Sequence, residues 1–322
     1  MGIGILGVMI EHTIRIGSLP SNLFVSLLSF LSGSVYTIGF LLLSGLGQFM
    51  SLKKNTCHDY VKKRFWRLIV PYWIISVPFF CFTDLFCDNS FACFLGHLTT
   101  ISYWTSGNYS GMWYIAITVF LYIINYPINT WLYCNKKNIN TTTLRFVLLI
   151  VLLIFIRWVL YSFYPQYYQK ISIGFDKIPS FFVGTYIMNC ICNRKDIKLL
   201  HVVALFLCCL SCFVIAHYVP FFDAYFLMTK VFLSIIIICF LFYILEKSKI
   251  VYYIRYVFRW FGKYSLELYI VHLLMFFLLS DYFSTGCSDR ILIIVSVSSA
   301  IILAPIYNRI VDKVHCFVNS IK

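Results

Sequence analysis

Long apolar segments recur along the whole chain, and the polar stretches that separate them are short. Only 12% of the 322 residues are charged and 61% are hydrophobic, whereas a soluble domain carries about 25% charged residues. Because a membrane-crossing helix needs roughly 20 mostly apolar residues, the pattern predicts an all-α fold, a polytopic membrane helical bundle of about ten transmembrane helices. The candidate spans are residues 2–16, 24–50, 66–84, 111–132, 144–163, 178–193, 199–218, 224–245, 264–281 and 290–308.

The basic residues predict how these spans are oriented. With the N-terminus in the cytoplasm, most of the 26 Lys and Arg residues fall in cytoplasmic connections, as the positive-inside rule requires. We therefore expect both termini in the cytoplasm and a multi-pass protein of the inner (cytoplasmic) membrane. The net charge of +14 is then a topology signal, and no nucleic-acid partner is predicted. The shorter stretch 89–106 is interrupted by polar residues and is predicted to be re-entrant or interfacial.

The whole chain, residues 1–322, is predicted to form a single transmembrane domain without an appended soluble domain, because its hydrophilic connections are all short. The 13 cysteines are scattered through the apolar segments, as small buried side chains would be, and no metal site is predicted. P-loop, Rossmann, HExxH and GxSxG motifs do not occur in the sequence. The function is therefore expected to reside in the membrane bundle.

Glu11 and His12 lie side by side inside the first apolar segment. An ionisable side chain at membrane depth is costly unless it faces a protein interior or a wet cavity, so it indicates a functional site. Histidine is the side chain best suited to moving protons near neutral pH, which makes His12 the candidate catalytic residue. Glu11 lies on a helix face about 100° away, so the partner of His12 is expected from another span.

A cluster of positive charges follows the second span, in the sequence KKRFWRLIVPYW at 62–73. Arg64 and Arg67 are three residues apart and share one face of an α-helix, where they and Lys63 could hold phosphate groups. The alternative is a cytoplasmic anchor that serves topology alone, and the two roles are compatible.

The ninth span opens with FGKYSLELYIVHLLMF at 261–276. Ser265, Tyr269 and His272 are spaced i, i+4 and i+7, which places three hydrogen-bonding groups on one helix face. This face is predicted to line a cavity; the alternative is a polar seam between helices. Lys263 and Glu267 are four residues apart and could form an ion pair.

Further candidate cavity or substrate residues are Ser44, Trp113, Tyr114 and Tyr122. The aromatic residues of the fourth span face either the bundle interior or the membrane interface, where Trp and Tyr are enriched. Ser44 and Gly45, late in the second span, permit either a close helix contact or the approach of backbone to a ligand. Arg157 and Lys230 lie within spans, where they either extend to the headgroups or bind an outer substrate.

In chain order, these segments resemble the integral-membrane acyltransferase family 3, the bacterial O-acyltransferases that modify carbohydrates. The resemblance implies transfer of an acyl group, usually acetyl from cytoplasmic acetyl-CoA, to a hydroxyl of a surface polysaccharide or its lipid-linked precursor. It implies no permanently bound cofactor; the expected partners are acyl-CoA, a carbohydrate acceptor and the lipid bilayer, and the oligomeric state stays open. The matching elements are His12, Ser-Gly at 44–45, KKRFWRLIVPYW at 62–73, WYIAITVFLYIINYP at 113–127, FFVG at 181–184 and GKYSLELYIVH at 262–272.

Two positions depart from the pattern of that family. The family places a basic residue at the position that Met1 occupies here. Either this cation is missing or the first span is truncated, and the short length of that span favours truncation. In the fourth span, Thr118 and Gly111 stand where some members place Glu and His, so no acidic partner for His12 is expected from that helix.

Transfer of an acyl group from a thioester to a hydroxyl needs a base that deprotonates the sugar hydroxyl, or a nucleophile that carries the acyl group. A histidine can do either. The helical rise from Met1 to His12 is about 16 Å, which predicts that the imidazole lies in mid-membrane. The pantetheine arm of acyl-CoA would reach it while the phosphates stay near Arg64 and Arg67. The rival hypotheses are an oligosaccharide-lipid transporter or flippase, and an inactive family relative within a polysaccharide-assembly complex.

Overall fold

The computed structural model describes residues 1–16, 37–107, 111–134, 139–193, 234–236, 251–283 and 289–320, together with Asn22 and Val25. Every regular element in these ranges is helical, which confirms the all-α prediction for this part of the chain. The α-helices are α1 (Gly2–Ile16), α2 (Thr37–Lys54), α3 (Cys57–Arg64), α4 (Val70–Phe80), α5 (Phe91–Leu98), α6 (Ile101–Ser106), α7 (Trp113–Tyr133), α8 (Ile139–Phe163), α9 (Pro165–Phe175), α10 (Ile178–Cys192), α11 (Val251–Lys263), α12 (Ser265–Leu278) and α13 (Asp289–Ser320). The π-helical turns are Phe65–Ile69, Cys81–Cys87 and Leu279–Phe283.

Several helices of the described part are long and apolar enough to cross a membrane. A further span is possible where two helices, Arg255–Lys263 and Ser265–Asp281, meet at a bend of 68°. The predicted spans 199–218 and 224–245 lie outside the described residues except for 234–236. The count of ten spans and the cytoplasmic placement of the termini therefore stay predictions. In the described part, the continuous helices that are long and apolar enough to cross a membrane are Cys57–Cys87, Trp113–Tyr133, Asn140–Phe163 and Ile291–Val318.

Helix α8 gives the clearest structural support for the predicted membrane character. Its most apolar stretch is only 6% buried within the protein. Leu144, Leu148 and Phe155 each leave more than half of their surface exposed, at 60%, 52% and 55%. A continuous apolar surface of this kind is unfavourable in water and suits the hydrocarbon of a bilayer. The membrane character inferred from composition is therefore supported by the packing.

The chain forms two compact units. The first unit contains residues 1–36, 61–119 and 248–322, and the second contains residues 37–60 and 120–247. In the first unit, α12 packs against α1, α4 and α13, and α1 also packs against α11 and α13. Many side chains of α12 are buried by these neighbours, including those of Tyr269 and His272. The first unit therefore holds Tyr269 and His272 on a helix that its neighbours surround.

In the second unit, α2 packs directly against α10, with their backbones in close contact. A Cβ atom on Gly45 would lie 2.0 Å from the carbonyl oxygen of Phe181, and one on Gly184 would lie 2.1 Å from that of Leu42. Only glycine fits at such a distance, because any side chain would have to displace backbone. Gly45 therefore serves helix packing, the first of the two roles that the sequence left open. Around Gly47, by contrast, the described residues leave open space.

Candidate functional site

The two histidines that the sequence places in separate spans meet in the first unit. His12 of α1 and His272 of α12 form a hydrogen bond between His12 Nδ1 and His272 Nε2, 2.8 Å long. Their rings are nearly parallel, with centroids 5.1 Å apart and an angle of 25° between planes. The side chain of His272 is only 2% exposed, whereas His12 is half-buried. A partner for His12 thus comes from another helix, as expected from the direction of Glu11.

His272 is itself held by its own helix. Its Nδ1 lies 2.6 Å from the carbonyl oxygen of Leu268, one helical turn earlier. A carbonyl oxygen can only accept, so His272 Nδ1 carries the hydrogen of this bond. Both ring nitrogens of His272 are therefore engaged, one by its own helix and the other by His12.

Tyr269 and Tyr114 extend this group along the first unit. The Tyr269 hydroxyl donates to the carbonyl oxygen of Gly111 over 2.7 Å. Its ring contacts those of Tyr114 and His272 edge-on, at centroid distances of 5.3 Å and 6.0 Å. We call His12, His272, Tyr269 and Tyr114 the histidine–tyrosine cluster.

The turn before α7 explains why glycine stands at position 111. Gly111 has a φ angle of +68°, in the left-handed region that side chains rarely adopt. An added Cβ would also approach Leu273 and Phe277 to 3.3 Å. A histidine at this position, as some family members have, would therefore be strained here.

The remaining predicted cavity residues lie at several places. Trp113 is buried beside Tyr114 in the first unit, with their rings edge to face at 5.9 Å. Ser265 is the half-buried first residue of α12 and, in the described part of the chain, forms no hydrogen bond to the histidine–tyrosine cluster. Ser44 and Tyr122 belong to the second unit, where their hydroxyl oxygens lie 3.4 Å apart. A role of these residues in substrate binding stays a prediction.

The predicted phosphate-binding residues flank a helical irregularity. Arg64 ends α3, Arg67 lies within the π-helical turn Phe65–Ile69, and Lys63 is exposed. A π-helix has more residues per turn than an α-helix, so the i, i+3 pair is not aligned as it would be on an α-helix. Arg67 is accordingly exposed while Arg64 is half-buried. A phosphate site formed by Arg64, Arg67 and Lys63 stays a prediction.

The ion pair that the sequence spacing allows between Lys263 and Glu267 does not form in the described structure. The chain bends by 68° between α11 and α12, so these residues are no longer neighbours on one straight helix. Glu267 is buried and accepts a hydrogen bond from Asn308 of α13, 3.1 Å long. The Lys263 ammonium instead lies over the Tyr264 ring, 5.0 Å from its centre.

Sequence reasoning missed a second buried polar pair in the first unit. His97 Nδ1 lies 2.7 Å from the Asp84 Oδ2 atom, and both residues are more than nine-tenths buried. The Phe80 ring stacks on His97 at a centroid distance of 4.6 Å, and the Tyr72 hydroxyl donates to the His97 carbonyl oxygen over 2.7 Å. The available signal was Asp84 itself, a charged residue at the end of an apolar span.

This pair links α5 to the π-helical turn Cys81–Cys87 that continues α4, and α6 packs against α5. The two short helices have 8 and 6 residues, too few to cross a membrane. They correspond to the stretch 89–106, which is predicted above to be re-entrant or interfacial. We call the hydrogen-bonded residues Asp84 and His97 the α4–α5 lock.

Arg157 is bound within the second unit. Its Nε donates to Asp176 over 3.2 Å, and the Tyr168 hydroxyl donates to both oxygens of the same carboxylate, at 2.8 Å and 2.7 Å. Burial and the nearby Asp176 raise the pKa of Tyr168, which lies on α9 outside the spans. Arg157 therefore has an internal partner. Lys230 lies outside the described residues.

Comparison with known protein families gives a match. The model of the family Acyl_transf_3, described as an acyltransferase domain, matches residues 2–309, nearly the whole chain. No curated protein and no solved structure matches the chain.

Proposed function

Since this chain belongs to acyltransferase family 3, we propose that it is a membrane O-acetyltransferase. The donor would be cytoplasmic acetyl-CoA, and the acceptor a hydroxyl group of a surface polysaccharide or of its lipid-linked sugar precursor. The single observation that carries the proposal is the hydrogen bond between His12 and His272, 2.8 Å long, inside an apolar helical unit. Two histidines in contact inside an apolar unit reduce the stability of the fold, so their presence indicates a function.

In the proposed reaction, His12 is the general base. It removes the proton from the acceptor hydroxyl as the oxygen attacks the thioester carbonyl carbon. The carbon–sulfur bond then breaks, and the proton held by His12 passes to the departing CoA thiolate. The products are the O-acetyl ester and free CoA. A variant of this reaction, in which His12 carries the acetyl group between donor and acceptor, uses the same residue.

The proposed donor site lies at the start of the helix that leads into the membrane. Arg64, Arg67 and Lys63 offer three positive charges close together in sequence, and arginine binds phosphate oxygens in a two-pronged geometry. The half-buried Arg64 and the exposed Arg67 suit a ligand whose phosphates stay at the membrane surface. The pantetheine arm would then reach inward to His12.

The proposed acceptor site uses the aromatic and hydroxyl groups near the histidines. Trp113, Tyr114 and Tyr269 present rings and hydroxyls, which together bind the apolar faces and the hydroxyl groups of sugars. Ser265 is proposed to contribute a further hydroxyl there, and Ser44 and Tyr122 are separate candidate residues within the second unit.

The test is transfer of acetyl from labelled acetyl-CoA by the purified full-length protein in lipid nanodiscs, with a lipid-linked oligosaccharide as acceptor. His12→Ala should lower the rate by about 10²–10⁴-fold, the usual contribution of a general base. His58→Ala is the matched control, because the His58 side chain is 86% exposed, and it should leave the rate unchanged. Full activity of His12→Ala at normal protein level would exclude His12 as the catalytic residue. Absence of any acetyl-CoA turnover by the wild type would favour a transporter or an inactive relative.

A further inference from the structure

We propose that His272 is a positioning residue that sets the tautomer of His12, so that the lone pair of His12 lies on Nε2 and serves as the base. This inference rests on the proposed function only where it makes the Nε2 lone pair of His12 the catalytic base. The arrangement of hydrogens itself follows from the geometry of three groups: the Leu268 carbonyl, the His272 ring and the His12 ring.

The first step is the hydrogen on His272 Nδ1. The 2.6 Å contact with the Leu268 carbonyl oxygen requires a donor at this nitrogen, since the carbonyl has no hydrogen to give. Leu268 is itself fully buried, so water does not compete for its carbonyl. The helix backbone therefore fixes one of the two hydrogens that the imidazole could carry.

The second step is that His272 is neutral. Its side chain is 2% exposed, and a buried charge without a counter-ion is strongly disfavoured. Within the described part of the chain, the hydrogen-bond partners of His272 are the Leu268 carbonyl and the imidazole of His12, and neither carries a negative charge. A neutral imidazole with hydrogen on Nδ1 has its lone pair on Nε2.

The third step is the position of the hydrogen on His12. Because His272 Nε2 can only accept, the hydrogen of the 2.8 Å bond must belong to His12 Nδ1. Neutral His12 then carries its lone pair on Nε2, on the side of the ring away from His272. When His12 takes a proton from the acceptor, the His272 lone pair stabilises the resulting imidazolium. The same bond excludes His272 as the base, because its only lone pair is already engaged.

Three variants of His272 separate this role from the bond to Leu268 and from simple packing. Glutamine places an oxygen near the position of Nε2 and keeps the acceptor for His12, but loses the donor to Leu268. Asparagine places its amide near Nδ1, so it keeps the donor to Leu268 but loses the acceptor for His12. A positioning role predicts that His272→Gln retains most of kcat, while His272→Asn and His272→Leu lower kcat by about 10–100-fold with KM for acetyl-CoA unchanged. A role limited to the bond with Leu268 predicts the reverse order for the two amides. A role limited to packing predicts that His272→Leu, a side chain of similar size, retains kcat.

The tautomer can be measured without any activity. Nitrogen-15 NMR of the histidine-labelled protein in nanodiscs distinguishes protonated from unprotonated ring nitrogens, and the His12 signals are those missing from His12→Ala. We expect hydrogen on Nδ1 and a bare Nε2 in the wild type, and loss of this preference in His272→Leu. A wild-type His12 with hydrogen on Nε2 would overturn the proposal even if the protein transfers acetyl groups. If His12 Nε2 carries no hydrogen but the protein transfers no acetyl group, the tautomer proposal is supported. Only the proposed function is then contradicted.

Discussion

The α4–α5 lock gives the sharpest test of how the first unit is held together. Asp84→Ala removes the acceptor of two hydrogen bonds, from His97 Nδ1 at 2.7 Å and from the Thr83 hydroxyl at 2.9 Å. The hydroxyl of Thr83 can rotate toward another acceptor, but the His97 ring cannot, because it is stacked on Phe80. A buried donor left without a partner costs about 1–3 kcal/mol, and breaking a buried pair costs about 3–5 kcal/mol.

We therefore expect Asp84→Ala to lower the free energy of unfolding by about 2–4 kcal/mol. Folded proteins are stable by only about 5–15 kcal/mol, so the midpoint of thermal unfolding in detergent should fall clearly. Asp84→Asn keeps one acceptor oxygen for His97 and should lose only about 1 kcal/mol. The matched control is Asp88→Ala, four residues later and exposed, which should leave the midpoint unchanged.

A double-mutant cycle shows whether the loss belongs to the pair. If it does, Asp84→Ala combined with His97→Ala should destabilise the protein by less than the sum of the two single variants. An Asp84→Ala protein that unfolds at the wild-type temperature would refute the reasoning, because it would mean that His97 finds another partner. Strict additivity would show that the two residues act independently.

Two further predictions concern the second unit and the proposed donor site. Gly45→Ala should destabilise the protein by about 1–3 kcal/mol, because the added carbon overlaps the Phe181 carbonyl, while Gly47→Ala at the open position should cost nothing; equal unfolding midpoints of the two variants would contradict the close packing. Replacing Arg64 and Arg67 together by glutamine should raise the KM for acetyl-CoA about tenfold or more, each tenfold corresponding to about 1.4 kcal/mol, with kcat unchanged. An unchanged KM would assign these arginines to membrane topology alone.

Sequence alone determined the class of this protein and the residues worth examining. The apolar segments predict membrane helices because hydrocarbon tolerates no unpaired backbone groups, and α8 is a helix whose most apolar stretch is only 6% buried. The order of short motifs gave the family, which the match over residues 2–309 confirms. His12 and His272 were identified separately, each as a histidine in an otherwise apolar span.

Tertiary structure alone decided which of these residues meet. Helical periodicity shows which side chains share a face of one helix, but it does not show which face of another helix lies opposite. The contact between His12 and His272 joins positions 260 residues apart, and the α4–α5 lock joins a span to a short segment that has no strong pattern of its own. The bend after Lys263 and the π-helical turn at Phe65–Ile69 also changed the neighbours that regular α-helical spacing predicted. Sequence therefore supplied the chemistry of each side chain, whereas packing supplied the hydrogen-bond partner, and the partner determines which nitrogen of His12 can act as a base.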